Sequence, residues 1–193
     1  MMRSDTKYWY FKSVIPSYIC DQIIKLGNSL KDDKGVVGEP GSDGKNMEVR
    51  DSNVSWINDK WVLKEVMPYI GIANINAKWF IDVEDHEIAQ FTKYKLNQHY
   101  NWHFDQCSTP DKFGKIRKLS LILILSDSSE YEGGKLLFDF QELPNKHEIF
   151  ECTELNTKGS IVVFPSYLYH KVTPIIKGTR YSLIIWAKGN NWR

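Results

Sequence analysis

Apolar and polar positions repeat with two different periods along the chain. After Pro16, Ile19, Ile23, Leu26 and Leu30 recur at helical spacing, which predicts an amphipathic helix with the proline near its start. Trp61, Val62, Val66, Met67 and Ile70 predict a second helix over Trp61–Ile70, and Tyr8–Val14 suits a strand. From about residue 78 the period shortens. Strands are predicted at Lys78–Val83, Glu87–Lys95, Lys118–Ser126, Gly134–Phe140, Ser160–Pro165, Leu168–Thr173 and Arg180–Ala187. KLSLILILS, at Lys118–Ser126, is apolar on both faces and belongs in the middle of a sheet covered on both sides. No helical pattern alternates with these strands, so a parallel α/β sheet is disfavoured. The expectation is a mainly β fold, a sandwich or open barrel buttressed by N-terminal helices. It forms a single domain over 1–193, with helical support to about 77 and a β core over about 78–189.

Between these parts, Lys31–Lys45 reads KDDKGVVGEPGSDGK, too polar and glycine-rich to build a core. It is expected to be a surface excursion, with a lid over substrate as the alternative. A chain of 193 residues that is 42% hydrophobic can bury a substantial core. Its 25 basic and 24 acidic residues leave a formal charge of +1, no footprint for nucleic acid or an anionic membrane surface. No apolar run is long enough to span a bilayer, and the N-terminus lacks the pattern of a signal peptide. Cys20, Cys107 and Cys152 are odd in number and lack CxxC spacing. They suit a reducing, cytoplasmic setting, and no base is identified that would make Cys107 a nucleophile.

Five histidines occur, and His103 stands two residues from Asp105 in YNWHFDQ. On a strand such a pair faces one side, supplying one imidazole nitrogen and one carboxylate to a divalent metal. Alone, the pair reads first as polar residues at a strand end, since such pairs are usually surface residues. GSIVVFPSYLYHKVTPIIKGTRYSLIIW adds His170, Arg180 and Ser182. A hairpin centred near Ile175 would set His170 opposite Arg180 on one face, with Ser182, Ile184 and Trp186 following by parity. No acidic residue occurs after Gly159 to pair with Arg180, so its partner is either solvent or a ligand carboxylate. Two histidines and one carboxylate make the facial triad of non-haem Fe(II) sites. A 2-oxo acid could chelate that metal and reach Arg180 and Ser182 with its far carboxylate.

YKLNQHYNWHFD, LSLILILSDSSEYEGGKLLF and the His170–Arg180 stretch together resemble the Fe(II)/2-oxoglutarate-dependent dioxygenases, in their prolyl 4-hydroxylase-like branch of bacterial and phage type. The resemblance covers most of residues 87–188. It implies a double-stranded β-helix (jelly-roll) core with Fe(II), 2-oxoglutarate and dioxygen at its open end. His103, Asp105 and His170 match the iron ligands, Arg180 the partner of the 2-oxoglutarate C5 carboxylate, and Ser182 an accompanying Arg-x-Ser pattern. Tyr94 matches a strand tyrosine that bonds the co-substrate, and parity places it with Gln90 and Thr92. Gly133–Gly134 matches a structural turn. Lys118–Ser126 departs from the pattern in having no tyrosine. The intact Asp105 favours hydroxylation over halogenation. By resemblance the substrate is a peptidyl proline, with a free amino acid, a small metabolite or a nucleobase as alternatives, and a non-catalytic jelly-roll module as the rival. His86 and His147 are expected to be solvated. His99 is a candidate for the cavity mouth, and Tyr100, Trp102 and Trp186 for the substrate entrance or the wall.

Overall fold

The computed structural model describes residues 6–35, 47–107, 109–140 and 147–192. Of the loop expected over 31–45, residues 36–45 lie outside these. In chain order the strands are β1 (Trp9–Phe11), β2 (Asp33–Lys34), β3 (Arg50–Asp51), β4 (Asn53–Ile57), β5 (Asp85–His86), β6 (Ala89–Tyr94), β7 (His99–His103) and β8 (Lys115–Ile124). There follow β9 (Tyr131–Gly133), β10 (Leu136–Asp139), β11 (Ile149–Glu151), β12 (Ile161–Pro165), β13 (Tyr169–Val172), β14 (Ile175–Gly178) and β15 (Arg180–Asn190). Helices α1 (Ser17–Ser29), α2 (Lys60–Val66) and α3 (Pro68–Asn76) lie in the first part. No described helix is long and apolar enough to cross a membrane.

The strands form two principal sheets. The major one runs β1-β12-β8-β15-β6-β4-β2, with β5 added against β15; the minor one runs β11-β10-β13-β7-β3, and β14 pairs with β9 separately. Every ladder is antiparallel. This is the jelly-roll architecture expected, and β8 sits between β12 and β15 as its two-faced apolarity requires. Leu119, Leu121 and Leu123 point to the helices, where Ile23, Val62, Val66 and Ile70 meet them. Ile122 and Ile124 point the other way, into a second core between the sheets with Phe138, Phe164 and Trp186. Close docking of α1 depends on Gly27. A Cβ there would stand 2.4 Å from the Phe91 ring, so any side chain would push the helix off the sheet.

Several elements differ from expectation. Lys78–Val83 is not a strand. Lys78 and Phe80 adopt φ of 56° and 50°, in the left-handed region, and Asn74 grips Ile81 through both its N–H and its carbonyl. The helix expected over Trp61–Ile70 is two helices, because Pro68 lacks the N–H that would continue the first and instead opens α3. The first part is also less purely helical than expected. It supplies β1, β2 and β4 to the major sheet and β3 to the minor one.

Candidate active site

The minor sheet contributes an irregular wall. His103 on β7 pairs with His170 on β13, but the next matched pair is Tyr100 with Val172, so β7 carries an extra residue there. Strict alternation would send residues 100 and 103 to opposite faces, whereas this bulge lets both line one cavity. Their rings stack with centroids 3.4 Å apart and planes 7° from parallel. After His103 the strand stops. The backbone N–H groups of Asp105 and Gln106 both donate to the Ser166 carbonyl, at 3.1 and 2.9 Å, turning the Asp105 side chain inward. Asp105 therefore joins His103 through a bend, not through the strand alternation expected.

In both histidines Nδ1 lies 2.8 Å from a backbone carbonyl, that of Asn101 for His103 and of Leu168 for His170. A carbonyl only accepts, so Nδ1 carries the proton and the Nε2 lone pair is free to ligate. The Nε2 atoms stand 3.6 Å from Oδ1 and Oδ2 of Asp105 respectively. One donor atom from each of the three residues lies within 4.8 Å of the others. Burial pushes His170 down to about 4, with His103 adding to the shift, so its imidazole is neutral at pH 7. Burial alone would raise the Asp105 pKa; His170, His103 and Arg117 outweigh it and hold the group well below the usual carboxylate range. Two imidazoles and a carboxylate converging from one side suit a divalent metal that keeps open positions on the other.

The major sheet contributes a regular wall. On β15, Arg180, Ser182, Ile184 and Trp186 alternate inward, as parity predicted, and with Tyr94 and Gln90 of β6 they line the same cavity. Arg180 is only 2% exposed. Its Nη1 donates to Ser182 Oγ at 3.2 Å, its Nε has no acceptor, and no carboxylate among the described residues forms an ion pair with it. Trp186 Nε1 is likewise buried without a partner. An unpaired buried guanidinium is costly, and a carboxylate entering the cavity would relieve that cost. The residues therefore fit Fe(II) at the triad and a dicarboxylic 2-oxo acid reaching from there to Arg180. Tyr94 lies directly opposite Arg180 in the β6–β15 ladder, with the guanidinium carbon 5.8 Å from its ring centroid. Burial raises the Tyr94 pKa against the opposing effect of Arg50 and Arg180, keeping the phenol protonated.

The hairpin expected between His170 and Arg180 does not form. β13 pairs within the minor sheet and β15 within the major one, while β14 departs to pair with β9. His170 and Arg180 thus face one cavity from opposite sheets. The Gly133–Gly134 turn supports this crossing. Gly134 has φ of 60°, and a Cβ there would come within 2.8 Å of Arg180 Cδ.

Arg50 and Gln90 were not singled out in the sequence as site residues, yet both line the cavity. Arg50 lies 4.5 Å over the Tyr100 ring, extending the stack on His103, and its Nε donates to Ser52. Only its place on the short strand β3, beside β7, reveals it. Arg117 grips Glu87 with two 2.7 Å bonds and stacks 3.7 Å from the Trp186 ring, behind the cavity. His99 does not reach the cavity; its ring nitrogens lie 3.2 Å from the Asn97 and Glu48 carbonyls. Trp102 stacks on Tyr169 outside the cavity lining, whereas Tyr100 and Trp186 are part of it. His147 is exposed, as expected, and lies 2.6 Å from Asp139. His86 Nδ1 lies 3.0 Å from the Glu87 carbonyl.

The sequence model of the 2OG-Fe(II) oxygenase superfamily matches residues 89–188. A PKHD-type hydroxylase of Nitrosomonas europaea is 30% identical over 137 residues, which are 68% of this chain and 57% of that protein. The chain spans about half the length of the curated relatives it matches. Among solved structures, a Pseudomonas putida prolyl-4-hydroxylase superposes with a TM-score of 0.70 at 18% identity, covering 97% of this chain and 95% of that one. A Trichoplax adhaerens prolyl hydroxylase, solved with a hypoxia inducible factor peptide fragment, gives 0.67 at 16% identity, covering 95% and 84%. At these identities the likeness to solved structures is one of fold.

Proposed function

We propose that the chain, which belongs to the 2OG-Fe(II) oxygenase superfamily, hydroxylates an unactivated C–H bond of a peptidyl proline, as a single oxygenase domain in the cytoplasm. The observation that carries this reading is the buried, carboxylate-free Arg180 facing the His103–Asp105–His170 cluster across one cavity. His103 and His170 would give Nε2 and Asp105 a carboxylate oxygen to Fe(II). Arg180 and Ser182 would take the C5 carboxylate of 2-oxoglutarate, with the Tyr94 hydroxyl beside them. When bound, iron with 2-oxoglutarate and dioxygen supplies the oxidising power: one oxygen atom enters the substrate as hydroxyl, the other enters succinate, and CO2 leaves. The protein's own part is positional. Leucine, isoleucine and phenylalanine side chains behind both walls exclude water, while the Nδ1–carbonyl bonds fix both imidazole planes.

The peptide assignment rests on analogy with the prolyl hydroxylases named above. Cys20, Cys107 and Cys152 are not joined in disulfides, in keeping with a reducing compartment. A free amino acid or small metabolite would use the same iron chemistry, and the near-neutral charge gives no reason to favour nucleic acid. Incubation with proline-containing peptides, Fe(II), ascorbate and 2-oxoglutarate tests the substrate. A one-oxygen mass gain on proline, matched by succinate, is the expected result. Succinate formed without peptide oxidation across a diverse library would redirect the search to small molecules.

A further inference from the structure

Asp105 lies beyond the end of β7, so no strand ladder fixes its backbone. Its bend and the Ser166–Tyr167 turn are bound to each other through the Ser166 carbonyl, which accepts from the N–H groups of both Asp105 and Gln106. The same turn leads into β13 and His170. Ser166 is itself anchored to β8, its N–H donating to the Lys118 carbonyl at 2.9 Å and its hydroxyl 2.9 Å from that of Ser120. Onto this junction folds Trp192, past the end of β15. Its Nε1 donates to Gln106 Oε1 at 2.9 Å, its ring lies 6.0 Å from Tyr167 at 66°, and the Lys118 ammonium sits 3.3 Å from its ring centroid. One side chain thus touches the residue after a candidate ligand, the turn before another, and the strand that anchors both.

We infer that Trp192 is a positioning residue for the metal site, holding the Asp105 bend against the Ser166–Tyr167 turn through its bond to Gln106. This rests on the ligand assignment proposed above. The indole N–H restrains the Gln106 side chain, and the ring, set against Tyr167, ties it to the turn. With the indole removed, the Asp105 carboxylate samples a wider range of positions, and the metal loses a preorganised ligand.

The test is Mn(II) affinity, read from the free-ion EPR signal, without turnover. Trp192→Phe keeps the ring and loses the N–H; Gln106→Leu loses the acceptor. Each is expected to weaken Mn(II) binding about fivefold, less than the roughly 10–100-fold seen when a group bonded directly to a ligand is removed. The double variant should be no weaker than either single one, because both break the same bond. Gln106→Glu retains an acceptor and should bind as tightly as wild type or tighter. Melting midpoints should stay together across the set. Single variants with wild-type affinity, or losses that multiply in the double variant, would overturn the inference while leaving the ligand assignment standing. Failure of the wild-type protein to bind Mn(II) would overturn both.

Discussion

The two walls of the cavity achieve preorganisation by opposite means. The major-sheet wall is regular: β15 is eleven residues long, lies between β8 and β6, and aims every second side chain inward. Arg180 is thereby fixed in depth by its pairing with Tyr94 on β6, just before β15 also joins β8 at Ser182, which suits a group that must meet one carboxylate at one distance. The minor-sheet wall is built from departures from regularity, a bulge in β7, a strand that ends at His103 and a bend at Asp105. Donor atoms on a flat strand cannot converge on a point from three directions; broken alternation allows it. Regular sheet therefore suits the long, linear ligand and irregular backbone suits the compact one.

The largest effects should come from the irregular wall. Asp105→Ala or His170→Ala removes one of the three proposed ligands and should weaken divalent-metal binding by about a hundredfold or more, judged against the roughly 10–100-fold cost of losing a group bonded to a ligand. Equilibrium titration with Mn(II) measures this. Arg180→Met should cost about 2–5 kcal/mol in 2-oxoglutarate binding, the range for truncating a buried charged partner. It should also leave metal binding nearly intact. The same variant sharpens the comparison from another side. It removes an uncompensated buried charge, so the ligand-free protein should melt higher than wild type, while 2-oxoglutarate should no longer raise its midpoint. Calorimetry with and without co-substrate reads both.

Gly134→Ala should have an intermediate effect. A methyl group under Arg180 Cδ, at a left-handed φ, should weaken 2-oxoglutarate more than metal and lower stability by about 1–3 kcal/mol. Smallest is Ser182→Ala, which removes one neutral bond to Arg180 and should cost about 0.5–1.5 kcal/mol in 2-oxoglutarate affinity, measured by the same titration.

What was legible in the sequence follows the same division. Alternation along β15 placed Arg180, Ser182, Ile184 and Trp186 on one face correctly, and the apolar run of β8 placed that strand in the sheet centre. Both are period-two readings of unbroken strands. His103, Asp105 and His170 were found from residue type and spacing, but the means of their convergence was not. A bulge leaves no mark in YNWHFDQ, and the bend at Asp105 depends on a carbonyl that comes from Ser166. The expected His170–Arg180 hairpin failed because β14 has a partner of its own in β9, a contact distant in sequence. Arg50 went unnoticed for a similar reason: nothing in VRDSN marks it, and only the pairing of β3 with β7 brings it to the cavity.

The central claim is that one cavity holds Fe(II) on one wall and the far carboxylate of 2-oxoglutarate on the other. Anaerobic titration of the protein with Fe(II) and then 2-oxoglutarate, followed by the visible charge-transfer absorption of the chelate, tests both halves at once. The account predicts a saturable band in wild type, none in His170→Ala, and a band in Arg180→Met that demands far more 2-oxoglutarate. No band in wild type, or the wild-type titration reproduced in both variants, would contradict it.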